Sequence, residues 1–217
     1  MKIEKGKIIT MIRTAIDDIV PTADDSFKGD TEDELWQAVQ HAVTALSMEL
    51  PLDLLNVSIK NDSGTVDENK GFAYSLLPDD YLRFVSLDVA GWAGMLSELI
   101  EPGSDAEKMQ RSRWSRGTAS KPKAMIDHDG DGKKVIVWWP GDETHKSVQF
   151  WYIPVPKLTE GNDSDETNSD DSDAETTDPY ITCALKEAAL PAVIYRAASI
   201  FFEGKKEPET AEKFRNI

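Results

Sequence analysis

The sequence predicts an α+β chain that is mainly a helical bundle, with a strand-rich extension inserted between its helices. Three observations carry this. Apolar residues recur at helical spacing across 5–50. From 52 to 156 the pattern changes to short alternating runs separated by turn residues. A nearly continuous apolar and alanine-rich run then fills 179–202. On this reading the 217 residues form a single domain, 1–217. Segments 5–50 and 179–215 make the bundle. Segment 52–156 is the insertion, with a short helix at 105–114, and 160–178 is an acidic loop.

The first helix is expected over 5–20, because Ile8, Ile12, Ile16 and Ile19 share one helical face and Pro21 stops it. A polar linker follows. Thr31 and Glu34 have capping-box spacing. They open a second helix with Leu35, Val39, Ala42, Val43 and Leu46 along one stripe, ending before Pro51. Residues 57–59 and 72–76 read as short strands around a turn rich in Gly and Asp, and 81–87 as a longer strand. Gly91 and Gly94 break the pattern. A second capping box, Ser104 with Glu107, starts the helix placed at 105–114.

Residues 123–156 read as a hairpin with a third strand. Strand 133–140 holds Val135, Val137 and Trp139 on one face, with Ile136 and Trp138 on the other. Strand 147–156 carries Phe150, Trp151 and Tyr152. Aromatics on both faces predict one face under the helices and the other under a neighbouring subunit. The last long helix is expected over 179–202, with Asp178 as cap, Pro179 at its first position and Pro191 kinking it. Lys186, Glu187 and Arg196 interrupt its apolar run and argue against a membrane span. Gly204 should end it, and Pro208 should start a short final helix with Ala211 and Phe214 inward.

Charge is unevenly distributed. The net charge is −16. Segment 160–178 holds nine acidic residues and no basic one, and its polar composition predicts disorder. Segment 108–123 holds Lys108, Arg111, Arg113, Arg116, Lys121 and Lys123 with no acid. The one cysteine, Cys183, leaves no intrachain disulfide, and no secretory-type apolar run opens the chain, so a cytosolic folding compartment is expected.

Chemistry-bearing patterns are sparse. Asp127, Asp129, Asp131 and Gly132 match the first half of a calcium loop, but Trp138 stands where a bidentate Glu is required. A hairpin turn needs the same residue types, so these aspartates are only a weak metal candidate. His41, His128 and His145 have no metal-ligand spacing. No nucleophile is spaced with a partnered base, so no catalysis and no cofactor are expected. Arg111, Arg113, Trp114 and Arg116 could hold phosphates beside a stacking ring, or meet acidic residues of another protein. The net acidity favours protein contact. With Trp138, Trp139 and Trp151, they form the candidate protein interface.

The order of these segments resembles a known family. Two helices lead to Leu77-Pro-Asp-Asp-Tyr-Leu-Arg-Phe84, then Gln110-Arg-Ser-Arg113 and Lys121-Pro-Lys-Ala124. A hairpin carrying Trp139-Pro140 follows, then Tyr152-Ile-Pro-Val-Pro156, an alanine-rich helix, and Glu209-Thr-Ala-Glu-Lys-Phe214. This layout resembles the head-to-tail connector (adaptor or ring) proteins of tailed bacteriophages, especially the short-tailed type, with phrasing also similar to ring proteins of crAss-like gut phages. The resemblance implies a non-enzymatic virion protein, made in the host cytoplasm and placed in the neck. It implies a homo-oligomeric ring of about twelve copies that touches the portal protein and adjacent tail or ring proteins. DNA would pass through its lumen without specific binding, and an acidic wall suits that passage. The acidic loop 160–178 is not part of the family pattern. A regulatory module using that loop as a DNA mimic is the alternative.

Overall fold

The computed structural model describes residues 1–19, 31–160 and 178–216. Among them the chain forms five α-helices and ten strands, and the strands make three antiparallel sheets. This corrects the expected architecture: the fold is α+β, but it is not mainly a helical bundle. Two compact units are formed, one by Met1–Asn56 with Val155–Ile217, the other by Val57–Pro154. No described helix is long and apolar enough to cross a membrane.

The first unit contains strand β1 (Lys2–Glu4), helix α1 (Lys5–Ile19) and helix α2 (Glu32–Glu49). The stripes expected from the sequence are the buried faces: Ile8, Ile12 and Ile16 on α1, and Leu35, Val39, Ala42, Val43 and Leu46 on α2. The capping box at Thr31 is not made. Thr31 already has helical dihedrals, its carbonyl accepts from the Leu35 N–H, and its side chain makes no cap hydrogen bond. The expected stop at Pro21, the linker after it and nearly all of the acidic loop lie outside the described residues.

The largest correction within this unit concerns 179–202. Its first part is not helical. Tyr180–Thr182 is a strand, designated β10, pairing antiparallel with β1 on one side and with β9 (Lys157–Thr159) on the other. Tyr-Ile-Thr is a β-prone triplet, and Ile181 is buried there. Cys183 follows in a loop, and burial raises its thiol pKa. A short 3-10 turn, Glu187–Ala189, leads into α4 (Leu190–Gly204). Pro191 therefore lies in the first turn of α4, where its missing N–H has no helical partner to lose. It starts the helix instead of kinking it. The left-handed residue after α4 is Lys206, with φ 63°, and not Gly204. Helix α5 (Pro208–Arg215) turns Ala211 and Phe214 inward as expected. Phe214 stacks on Phe202 at 5.4 Å and 10°, a pair worth about 0.5–1.5 kcal/mol beyond its burial. Helix α4 packs against α1, α2 and α5.

The second unit has two sheets. Strands β2 (Ser58–Ser63), β8 (Ser147–Pro154) and β5 (Tyr81–Val89) form one, in the order β2-β8-β5. Strands β3 (Thr65–Asp67), β4 (Phe72–Leu76), β7 (Lys134–Trp139) and β6 (Lys123–His128) form the other, in the order β3-β4-β7-β6. The 123–156 segment is thus not one hairpin. Strands β6 and β7 pair, while β8 crosses to the opposite sheet. The sheets enclose a shared core of Leu87, Val148, Phe150 and Tyr152 from one, and Ala73, Ala124, Ile136 and Trp138 from the other. On the outer face of the four-stranded sheet, Met125, Val135, Val137 and Trp139 cluster with Phe72, Tyr74 and Ile100. Both aromatic faces of β7 are therefore covered from within this unit, and no neighbouring subunit is needed to bury them.

Trp138 is the largest fully buried side chain, and its indole N–H donates to the His145 carbonyl at 2.9 Å. A Cβ at Gly64 would meet its ring at 2.3 Å. Gly64→Ala should therefore cost about 1–3 kcal/mol by overpacking, and Trp138→Leu alone about 3 kcal/mol. In the double variant the Gly64 cost should shrink by about 1 kcal/mol or more, a coupling measurable by urea denaturation of all four proteins. Strictly additive losses would refute this contact.

Candidate functional site: a basic turn and its cleft

Helix α3 (Asp105–Gln110) is shorter than the expected 105–114, and a tight turn carries the chain onward through Arg116. Its start is built as the sequence predicts, with one shift. The Glu107 N–H donates to Ser104 Oγ at 3.3 Å, while the Glu107 carboxylate reaches back past Ser104 to the Gly103 N–H at 2.6 Å. That backbone bond leads the causes that lower the Glu107 pKa; burial opposes it, and Arg111 and Lys108 add to the lowering. Gln110 is buried and ties both ends of the turn together. Its Nε2 donates to the Ala106 carbonyl at 2.8 Å, and its Oε1 accepts from the Gly117 N–H at 2.7 Å. Ser115 Oγ donates to the Met109 carbonyl at 2.7 Å. The turn is therefore held in shape by its own polar groups.

The turn presents an unusual surface. Trp114 is 96% exposed and Met109 is 57% exposed. Arg111 is exposed and lies 3.4 Å from Glu107. Arg113 is exposed, and among the described residues no carboxylate stands within ion-pair distance of it or of Arg116. Arg116 is half-buried. Its Nε lies away from solvent with no hydrogen-bond partner among the described residues. Its guanidinium rests against Gly71, where φ is +67° and an added Cβ would sit 1.7 Å from Nη1.

Between this turn and the outer face of the four-stranded sheet lies a cleft of about 530 Å³. Phe72, Met125, Val137 and Trp139 give it an apolar wall, with Phe72 and Trp139 edge to face at 6.0 Å. Lys70, Arg111, Arg116, Glu107 and Asp127 supply its charged lining. Lys70 also pairs with Asp67 at 3.5 Å.

The structure thus separates the sequence-predicted residues. Arg111, Arg113, Trp114 and Arg116 share the turn. Trp138 and Trp139 are core residues at 0% and 5% exposure, so their rings serve packing. Trp139 still lines the cleft. Trp151 is half-buried on β8, opposite Ile59 and Ser86. Asp129 Oδ1 accepts from the Asp131 and Lys133 N–H groups, and Asp127 Oδ1 from the His128 N–H. These are turn-forming bonds, and no group of three His, Cys, Asp or Glu among the described residues could hold a metal ion. Sequence reasoning missed Phe72, Gln110 and Lys70. Gly71 was the available signal, because a glycine before an apolar strand marks a positive φ or a close neighbour.

His145 belongs to a different cluster. Asp142 Oδ1 accepts from the Thr144 N–H and Oγ–H and from the His145 N–H, and lies 2.7 Å from His145 Nδ1. Compared with models of known families and with characterised proteins, the sequence matches none.

Hydrogen bonds from Thr144 lead the causes that lower the Asp142 pKa. A depressed folded-state pKa stabilises above the unfolded value and is lost as pH falls through the folded one. Asp142→Asn should therefore cost about 1 kcal/mol at pH 7, a figure that already allows for solvent screening of a half-exposed group. The gap from the parent should close as pH drops below about 4, read from urea midpoints between pH 7 and pH 2.5. A gap unchanged at the acid end would refute the assignment.

Proposed function

We propose that this protein is a structural subunit of the phage neck, assembling as a homo-oligomeric ring between portal and tail through which DNA passes. The carrying observation is Trp114. An indole at 96% exposure, on a turn held by Gln110 and Ser115 and flanked by Arg111 and Arg113, offers a large apolar face to a partner. Trp and Arg are the residue types that dominate binding energy at protein contacts. The turn is also pre-formed, so little ordering entropy opposes binding through it.

The segment order quoted from the sequence supports the neck assignment. The helical bundle implied by that resemblance does not, because this chain is built differently. Support also comes from charge. Segment 108–123 is basic and segment 160–178 strongly acidic, which suits a head-to-tail contact in which different patches of adjacent copies meet. Excess negative charge elsewhere lets a channel repel phosphate and keep DNA mobile. The portal protein and an adjacent tail or ring protein are the other partners this reading requires.

Trp114→Ala tests it. The side chain touches little of its own chain, so fold stability should move by less than about 0.5 kcal/mol. Self-association, read by sedimentation velocity across a concentration series, should weaken about thirtyfold or more. Deleting 160–178 separates this from the DNA-mimic alternative, which would lose binding to a DNA-binding protein while a ring still formed. A monodisperse monomer at high concentration, with no ring in virions, would overturn the proposal.

A further inference from the structure

We propose that the cleft between α3, its following turn and the four-stranded sheet is a carboxylate-binding site, with Arg116 as anchor and Phe72 and Trp139 as its apolar wall. The inference does not rest on the ring reading, whose contact residue Trp114 lies outside the cleft.

Arg116 carries it. A guanidinium stays protonated at any pH a protein tolerates, so burial cannot be relieved by losing the proton. The Arg116 Nε is buried without an acceptor among the described residues. A desolvated donor left unmatched is unfavourable, and such groups call for an explanation. The surroundings are shaped to keep the guanidinium where it is. Gly71, at φ +67°, leaves bare backbone where a Cβ would strike Nη1 at 1.7 Å. The described residues thus make room for this cation without supplying its counter-ion.

The other two cations of the cleft have carboxylates of their own: Arg111 is 3.4 Å from Glu107 and Lys70 is 3.5 Å from Asp67. Arg116 also lines the cleft, and with its Nε out of solvent reach its terminal Nη groups are the donors that a carboxylate in the cleft would meet. The lining argues against a phosphate dianion. Glu107 and Asp127 would repel a second negative charge, and three cations exceed these two acids by only one. Phe72, Met125, Val137 and Trp139 then select an apolar, ring-sized body attached to the acid. The volume of about 530 Å³ is that of small-molecule pockets. A free aromatic acid and a Glu or Asp beside an aromatic residue of another protein share this chemistry.

The test uses the full chain labelled with 15N at arginine, reading the Arg116 Nε–H resonance. Titration with 3-phenylpropionate should shift this signal saturably. The neutral 3-phenylpropanol should bind about tenfold or more weakly, since it lacks the charge-assisted bonds. Phenyl phosphate should also bind more weakly than the acid. In Arg116→Gln, followed by Trp fluorescence, affinity for the acid should fall about tenfold or more. Asp127→Asn removes a repelling carboxylate and should tighten binding about threefold, a gain that misfolding cannot imitate. A capped Phe-Glu dipeptide amide is the second arm. Tighter binding than the free acid assigns the site to a protein side chain, and weaker binding assigns it to a small molecule. No saturable shift, equal binding of acid and alcohol, or full affinity in Arg116→Gln would overturn the proposal. Trp114→Ala should leave this binding unchanged while altering assembly, so the two readings fail separately.

Discussion

Strand β7 has no polar face. Val135, Val137 and Trp139 point one way, Ile136 and Trp138 the other, and all five are buried. A strand of this kind cannot be the solvent-facing layer of anything, so both of its sides must be covered. One side is met by the three-stranded sheet, through Val148, Phe150 and Leu87. The other receives Ile100, whose N–H donates to the Ala124 carbonyl at 2.9 Å. The chain between β5 and β6 has to cross this outer face, and that crossing places α3 and the basic turn beside Phe72 and Trp139. The cleft is what remains where the cover is incomplete.

Much of the local structure was legible in the sequence. Isoleucine spacing located α1, and the stripe from Leu35 to Leu46 located α2, because amphipathic helices obey a period that survives any tertiary context. The C-terminal half misled for a physical reason. A run that is apolar on every side carries no period, so strand and buried helix look alike in it. Ile181, Cys183 and Leu185 are buried, but as strand and loop, and the α-helix begins only at Leu190. Pro191 was the decisive marker. A proline lacking an N–H is far cheaper in a first helical turn than in an interior, which places the helix start beside it.

The candidate site was half legible. The arginines announced themselves as an acid-free basic stretch, but sequence could not rank them. Structure does so through burial. Arg113 lies in solvent, where screening weakens any pairing. Arg116 is folded against Gly71, a residue far from it in sequence, and no local pattern links the two. The same blindness left the tryptophans unranked. Trp138 and Trp139 looked like paired interface anchors, yet they are core, and the isolated Trp114 is the exposed one. Counting aromatics says how much apolar surface exists, not which side of the strand it lands on.

That redistribution changes what an assembly contact can be. Had the β7 aromatics been exposed, subunits would be expected to meet through broad sheet faces, with large apolar areas and slow exchange. Since those faces are closed internally, the most exposed large apolar side chain among the described residues is the single Trp114 ring, with Met109 nearby and charge on either side. A contact of that form is small, its energy concentrated in one ring and its approach steered by arginines. Small contacts become durable only by repetition, because a closed ring gives every copy two partners and must break twice to lose one. Any assembly built through this turn would therefore hold through closure and not through the strength of an isolated pair.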